Sequence, residues 1–235
     1  MENTLVIIPT FNESENISQI ISSVFINLPK CHILVVDDNS PDGTSGIVKE
    51  IIIIKKKSLF IIDRKNKLGL GAAYIEGFNW AIKKKYDFIF EMDADFSHDP
   101  VSLPEMIKIL RYNSDIVVGS RYKQGVNVVD WPLGRILLSY TASLYVRLIT
   151  GMPVKDPTAG YVGYKRKVLE NIELNKIQLT GYAFQIEMKY KSWIKGYKIY
   201  EYPIIFKNRI RGKSKMDQSI FWEALIGVIK MRLLN

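Results

Sequence analysis

The sequence predicts an α/β fold in which a mainly parallel sheet carries helices on both faces. Three observations lead there. Short apolar runs alternate with helical stretches over the first 120 residues, the pattern of successive strand–helix–strand crossovers. The polar clusters follow the carboxyl ends of the strands, where sheets of this kind bind their ligands. An apolar share of 47% in 235 residues is enough to build one large core.

Each element follows from local pattern. Residues 4–9 form a buried strand that Pro9 ends. After the loop 10–13, Asn12 and Glu15 read as a capping pair that opens a helix reaching about Leu28. Residues 32–36 make a second strand, stopped by the turn chemistry of Asp37-Asp-Asn-Ser-Pro-Asp-Gly43. Then come a helix to about Ile54, a strand over 59–62, a loop ending Lys67-Leu-Gly-Leu-Gly71 and a helix to about Lys84. A strand over 87–92 runs into Asp93-Ala-Asp-Phe-Ser-His-Asp-Pro100, and a helix at 102–111 and a strand at 115–119 complete the alternation. Beyond residue 125 the pattern loosens into a long amphipathic helix (131–150), a loop with a short strand (156–164) and a helix (182–194) stopped by Gly196. A strand (197–206), a basic loop (207–215) and a mostly apolar last helix (218–234) follow. No linker or repeat divides the chain, so residues 1–235 are read as a single domain with halves 1–125 and 126–235.

Composition narrows the chemistry. A lone cysteine, Cys31, excludes an internal disulfide framework, and two histidines, His32 and His98, argue against a zinc cage or a Ser-His-Asp triad. Residues 1–130 hold 15 Lys/Arg and 17 Asp/Glu, a net of −2, whereas residues 131–235 hold 18 and 7, a net of +11. A basic half suits nucleic acid, a phosphorylated substrate or an anionic membrane, or is merely a well-solvated surface. A nucleic-acid binder has no use for an acidic sheet edge, so nucleic acid is not expected as a partner. The start lacks the basic n-region of a signal peptide, and no run reaches the ~18 apolar residues that span a bilayer. A soluble or surface-bound intracellular protein is expected.

Four clusters carry chemistry. Asp93 and Asp95, two apart at a strand end, point the same way in extended chain. Two hard oxygen ligands there suit Mg²⁺ or Mn²⁺, with waters and a diphosphate completing the shell. The alternative is a solvated acidic turn. Asp37-Asp38 ends a second strand at the same edge, and two unpaired carboxylate pairs would repel unless a cation or a donor-rich ligand lay between them. Gly69-Leu-Gly71 resembles a dinucleotide motif but has Tyr74 in place of the third glycine and follows the third strand, so it is read as a tight turn. Arg209-Ile-Arg-Gly-Lys-Ser-Lys215 is a phosphate clamp or a solvated loop. Arg135 and Ser139 share a helix face, and Arg121 closes the fifth strand's turn. Together they make a second phosphate site, unless Arg135 is only a snorkelling arginine.

Taken together, Ile8-Pro-Thr-Phe-Asn-Glu13, Val36-Asp-Asp-Asn-Ser-Pro-Asp-Gly-Thr44, Leu68-Gly-Leu-Gly-Ala-Ala-Tyr74 and Met92-Asp-Ala-Asp-Phe-Ser-His98 are similar to motifs of one family. Gly119-Ser-Arg121, Asp156-Pro-Thr-Ala-Gly-Tyr161 and the spacing Arg209, Gly212, Ser214, Lys215 extend the likeness to about residues 4–230. The chain resembles the inverting, GT-A-fold family-two glycosyltransferases, and within them the polyprenyl-phosphate (dolichyl-phosphate) mannose synthases. The resemblance implies transfer of mannose from GDP-mannose to a polyprenyl phosphate; glucose or another sugar from a UDP-sugar is the alternative. It implies that Pro9, Phe11, Glu13, Asp38 and Ala94 hold the donor, and that Asp93 and Asp95 bind the divalent ion. Arg209 and Lys215 would grip the diphosphate, while Arg121, Arg135 and Ser139 bind the acceptor phosphate. Asp95, Arg121 and Arg135 form the implied catalytic set. Ser97 stands where some relatives place a Gln near the metal, and Asp156 and Glu187 face the sugar or acceptor. On this reading residues 1–125 bind the nucleotide sugar and 126–235 the acceptor. Arg121→Ala is then expected to lower turnover strongly while leaving donor binding nearly intact. The last helix is too short to span, so the protein is expected peripherally on the cytoplasmic side of a membrane. Anchoring subunits, direct surface attachment or a longer natural chain would each meet that need.

Overall fold

The computed structural model describes residues 3–177, 179, 181–208 and 218–234, with the side chains of 182, 218–224 and 234 outside the description. The strands are β1 (Thr4–Thr10), β2 (His32–Asp37), β3 (Leu59–Asp63), β4 (Phe88–Glu91), β5 (Ile116–Ser120), β6 (Val128–Val129), β7 (Val162–Lys165), β8 (Ile199–Pro203) and β9 (Phe206–Lys207). The helices are α1 (Ile17–Asn27), α2 (Thr44–Ile54), α3 (Leu70–Lys83), α4 (Leu103–Tyr112), α5 (Leu133–Thr150), α6 (Arg166–Asn171), α7 (Gly181–Ile194) and α8 (Gln218–Leu234). Seven strands form one sheet in the order β3-β2-β1-β4-β7-β5-β8, and β6 pairs with β9 beside it. All main-sheet pairings are parallel except those of β7, which runs antiparallel to both β4 and β5. Strands from residues 162–203 thus complete a sheet begun in the first half.

The side-chain alternation of the strands splits the core in two. Val6, Ile8, Ile33 and Val35 face α1, α2 and α4, packing on Ile20, Val24, Val48 and Met106. Leu5, Ile7, Leu34 and Val36 face the other way, onto Tyr74 and Phe78 of α3 and Phe184 of α7. Gly77 lets α3 lie against the sheet, since a Cβ there would stand 2.8 Å from Ile7 Cγ2. A third cluster joins α5, α7 and α8 through Val146, Tyr190, Val228 and Met231.

Several expectations change. Helix α1 begins at Ile17, because Asn12 takes a left-handed φ of +56° and Asn16, not Asn12, occupies the cap position. The Glu13 carboxylate accepts from Asn16 Nδ2 at 3.0 Å. The strand expected over 197–206 breaks into β8 and β9, and α6 and β6 were not anticipated. Neither long helix of the second half has a simple polar outer face. Helix α5 buries Ser143, Val146 and Thr150 while exposing Leu133, Leu137, Leu144 and Leu148. Helix α8 buries Val228 and Met231 yet also exposes Ile226, Ile229 and Leu233. Among the described residues, no helix is long and apolar enough to cross a membrane.

Candidate active site

The loop after β4 brings both expected metal ligands to one cleft of about 200 Å³. Its lining includes Asp93, Asp95, Ser97, Arg121, Arg135 and Ser139. Asp95 is nearly buried and its Oδ1 accepts from both the N–H and the hydroxyl of Ser97, at 3.1 and 2.6 Å. Ser97 therefore fixes the orientation of the Asp95 carboxylate. Asp93 stays partly exposed, and its backbone N–H donates to Nδ1 of His98 at 3.0 Å. His98 is itself buried and stacked on Tyr161, so it shapes the loop through that nitrogen. Among the described residues no group of three or more His, Cys, Asp and Glu side chains gathers around a metal position. The pair therefore fits a divalent ion that takes the rest of its shell from water and ligand oxygens, which suits a hard cation on a diphosphate. Ala94 between them is buried in the core.

Behind the loop lies a buried polar group. Glu91 is fully buried, and among the described residues neither of its carboxyl oxygens nor the Tyr164 hydroxyl has a well-aligned hydrogen bond. Burial pushes the Glu91 carboxyl up to about 8, against the opposing charge of Lys189. Lys189, equally buried, donates to Ala159 O at 2.6 Å, and burial pushes it down to about 8.

The loops after β1 and β2 make the expected donor side, but their carboxylates are not unpaired. Asp37 accepts from the Thr10 hydroxyl at 2.7 Å and from the N–H and hydroxyl of Ser40 at 2.8 and 2.7 Å. Asp38 pairs with buried Arg64 and accepts from the Gly69 N–H at 2.8 Å. The expected repulsion between acidic pairs is therefore absent for local reasons, and no ligand is needed to relieve it. Gly69, at φ +90°, caps α3 as the tight turn that was expected. The Phe11 ring carries the Lys67 ammonium 4.0 Å from its centre. Pro9 and Glu13 flank it, half-buried. These four residues, Pro9, Phe11, Glu13 and Asp38, do not line the cleft described above.

On the opposite wall Arg121 is nearly buried and held rigidly. Its Nε and Nη2 donate to Asp156 at 2.8 and 2.6 Å, and Nη2 also reaches the Thr158 hydroxyl at 2.7 Å. Burial would raise the Asp156 carboxyl, but the Arg121 charge and hydrogen bonds hold it below the usual carboxylate range. Glu201 of β8 completes the chain by accepting from the backbone N–H groups of Lys155 and Asp156 at 2.9 and 3.0 Å. Asp156 therefore faces Arg121. Glu187, expected to face the sugar or the acceptor, accepts from Leu179 N–H and pairs with Lys191 at 2.7 Å, while Gln185 and Ile186 line the cleft. Ser139 accepts from the Tyr122 hydroxyl at 2.8 Å, and Arg135 one turn earlier donates to Asn208 at 3.2 Å. Arg209 and Lys215 lie outside the described residues. Sequence reasoning missed Arg64, Tyr122 and Glu201; their partners are 26, 17 and 45 residues distant, beyond any local signal.

Comparison with known proteins gives the family and the fold. Residues 5–173 match the family model of Glycosyl transferase family 2. The chain is 42% identical to a polyprenol monophosphomannose synthase of Mycolicibacterium smegmatis over 97% of its length and 86% of the relative's. It is 40% identical to an undecaprenyl-phosphate mannosyltransferase of Micrococcus luteus, covering 97% and 93%. The fold is shared with a mannosyltransferase from Pyrobaculum calidifontis solved with GDP-Man and Mn²⁺, at a TM-score of 0.61 and 16% identity, over 90% of this chain and 58% of that one.

Proposed function

Because the chain belongs to glycosyl transferase family 2, and within it to the polyprenyl-phosphate mannosyltransferases, we propose that it transfers mannose from GDP-mannose to a polyprenyl (dolichyl) phosphate with inversion. The observation that carries this is the single cleft in which the Asp93–Asp95 pair faces Arg121, Arg135 and Ser139. One side suits a diphosphate and the other a phosphate monoester. The cleft continues between α5 and α8 along Leu138, Ala142, Tyr145, Val146, Leu225 and Val228, an apolar wall that suits the first units of a lipid chain.

Asp93 and Asp95 would hold Mg²⁺ or Mn²⁺, which when bound neutralises charge on the leaving nucleoside diphosphate. Pro9, Phe11, Glu13, Asp38 and Ala94 are assigned to the donor, and Arg209 and Lys215 to its diphosphate. Arg121, locked by Asp156 and Thr158, with Arg135 and Ser139, orients the acceptor phosphate behind the anomeric carbon. A phosphate monoester is already anionic near neutral pH, so the attacking oxygen requires no strong general base. The exposed leucines of α5, with Ile226, Ile229 and Leu233 of α8 beside Lys230 and Arg232, suit the cytoplasmic surface of an anionic membrane. The test is labelled-sugar transfer into organic-extractable lipid, comparing GDP-mannose, UDP-glucose and UDP-GlcNAc with and without EDTA. Transfer from GDP-mannose alone, lost with EDTA, is expected. Transfer from a UDP-sugar instead overturns the donor assignment.

A further inference from the structure

Trp131 takes no part in the mechanism so far, yet it stands between the two arginines of the acceptor site. The Arg135 guanidinium lies 3.9 Å from the centre of its ring. Arg121 lies 5.7 Å from the same ring, and 5.6 and 5.3 Å from Phe206 and Tyr122. Phe206 meets Trp131 edge to face at 5.4 Å and 75°; Phe206 lies on β9, which pairs with β6, and Trp131 follows β6 by two residues. The indole Nε1 is shut off from solvent and, among the described residues, has no hydrogen-bond partner. A buried donor left unsatisfied costs stability, so hydrogen bonding does not explain a tryptophan here. Its face does.

The two arginines differ in how they are held. Asp156 grips Arg121 in two places, whereas Arg135 sits on an exposed helix turn with the Trp131 ring and Asn208 as neighbours. Stacking on an aromatic face narrows the rotamers of an exposed arginine before a ligand arrives.

We propose that Trp131 is the positioning residue of the acceptor-phosphate site: its ring face presets the Arg135 guanidinium and spaces it from Arg121. The assignment rests on Arg135 binding a lipid phosphate, as read above. A double-mutant cycle tests it, with farnesyl phosphate as a binding probe and mannose transfer as a second readout. Trp131→Leu should weaken farnesyl phosphate binding by about tenfold and raise the acceptor KM equally, leaving the GDP-mannose KM unchanged. Trp131→Phe, which keeps a ring face and loses only the N–H, should restore most of the affinity. Trp131→Leu added to Arg135→Ala should cost nothing further. Multiplying losses in the double variant, failure of Phe to rescue, or equal shifts for donor and acceptor overturn the proposal. Farnesyl phosphate bound by a wild-type chain that transfers no mannose sinks the donor reading alone, and the binding cycle still decides the role of Trp131. A wild-type chain that binds no prenyl phosphate overturns both.

Discussion

The loops after β1 and β2, proposed for the donor, and helix α5, proposed to flank the acceptor, are built in different ways. Around Asp37, Asp38 and Asp42 the loops satisfy themselves: Thr10, Ser14, Ser40, Thr44, Arg64 and Gly69 supply the hydrogen bonds. By contrast, α5 turns leucines outward and buries Ser143 and Thr150. Exposed apolar surface of that extent needs something to cover it. On the proposed assignment, a water-soluble nucleotide meets loops whose polar groups are already hydrogen-bonded, whereas a lipid phosphate is met beside an exposed apolar face.

The largest expected effect breaks the acceptor wall. Arg121→Ala leaves Asp156, which is 0% exposed, without its two-point partner, and losing one member of a buried pair costs about 3–5 kcal/mol. Urea unfolding should show that loss, alongside lost turnover, whereas Arg121→Lys should refold the pair in part. The sequence alone predicts loss of turnover with intact donor binding; the buried pair adds the stability loss. Next comes Asp95→Ala, expected to lower turnover by at least about a hundredfold, read in the transfer assay at saturating acceptor. Leu137→Glu with Leu148→Glu should lower partition onto anionic vesicles by about tenfold or more. Thermal stability in buffer should shift by no more than about 0.5 kcal/mol, because both side chains are exposed. An equal loss in buffer would mean that the outer face of α5 is packed rather than waiting.

The smallest effect belongs to the donor side and to acid. Burial would raise the Asp42 carboxyl, but hydrogen bonds from Thr44 and Ser14 hold it at about 2. A lowered carboxyl contributes stability above its ordinary value of 3.8 and loses it as pH falls through about 2. Asp42→Asn should therefore flatten the acid limb of a melting-temperature profile between those values and leave neutral turnover nearly unchanged.

Much of this was legible because buried parallel strands read as continuous apolar runs, as in Val6-Ile-Ile8 and Leu34-Val-Val36. The sheet edge, the Asp93–Asp95 pair and the shared face of Arg135 and Ser139 follow from spacing alone. What was hidden is long-range. Nothing local says that β7 inserts antiparallel between β4 and β5, or that Asp156 grips Arg121. The start of α1 was misplaced because a left-handed Asn12 looks, in sequence, like a cap. The outward leucines of α5 escaped notice because periodicity gives a stripe but not the side on which the core lies.

The central claim is that one cleft sets an acceptor phosphate in line behind the sugar of a nucleotide donor. The most direct measurement is the structure of the lipid product made from α-linked GDP-mannose and polyprenyl phosphate, determined by NMR at the anomeric carbon. In-line attack predicts a β-mannosyl phosphate linkage. An α-linked product, or none that carries mannose, would contradict it.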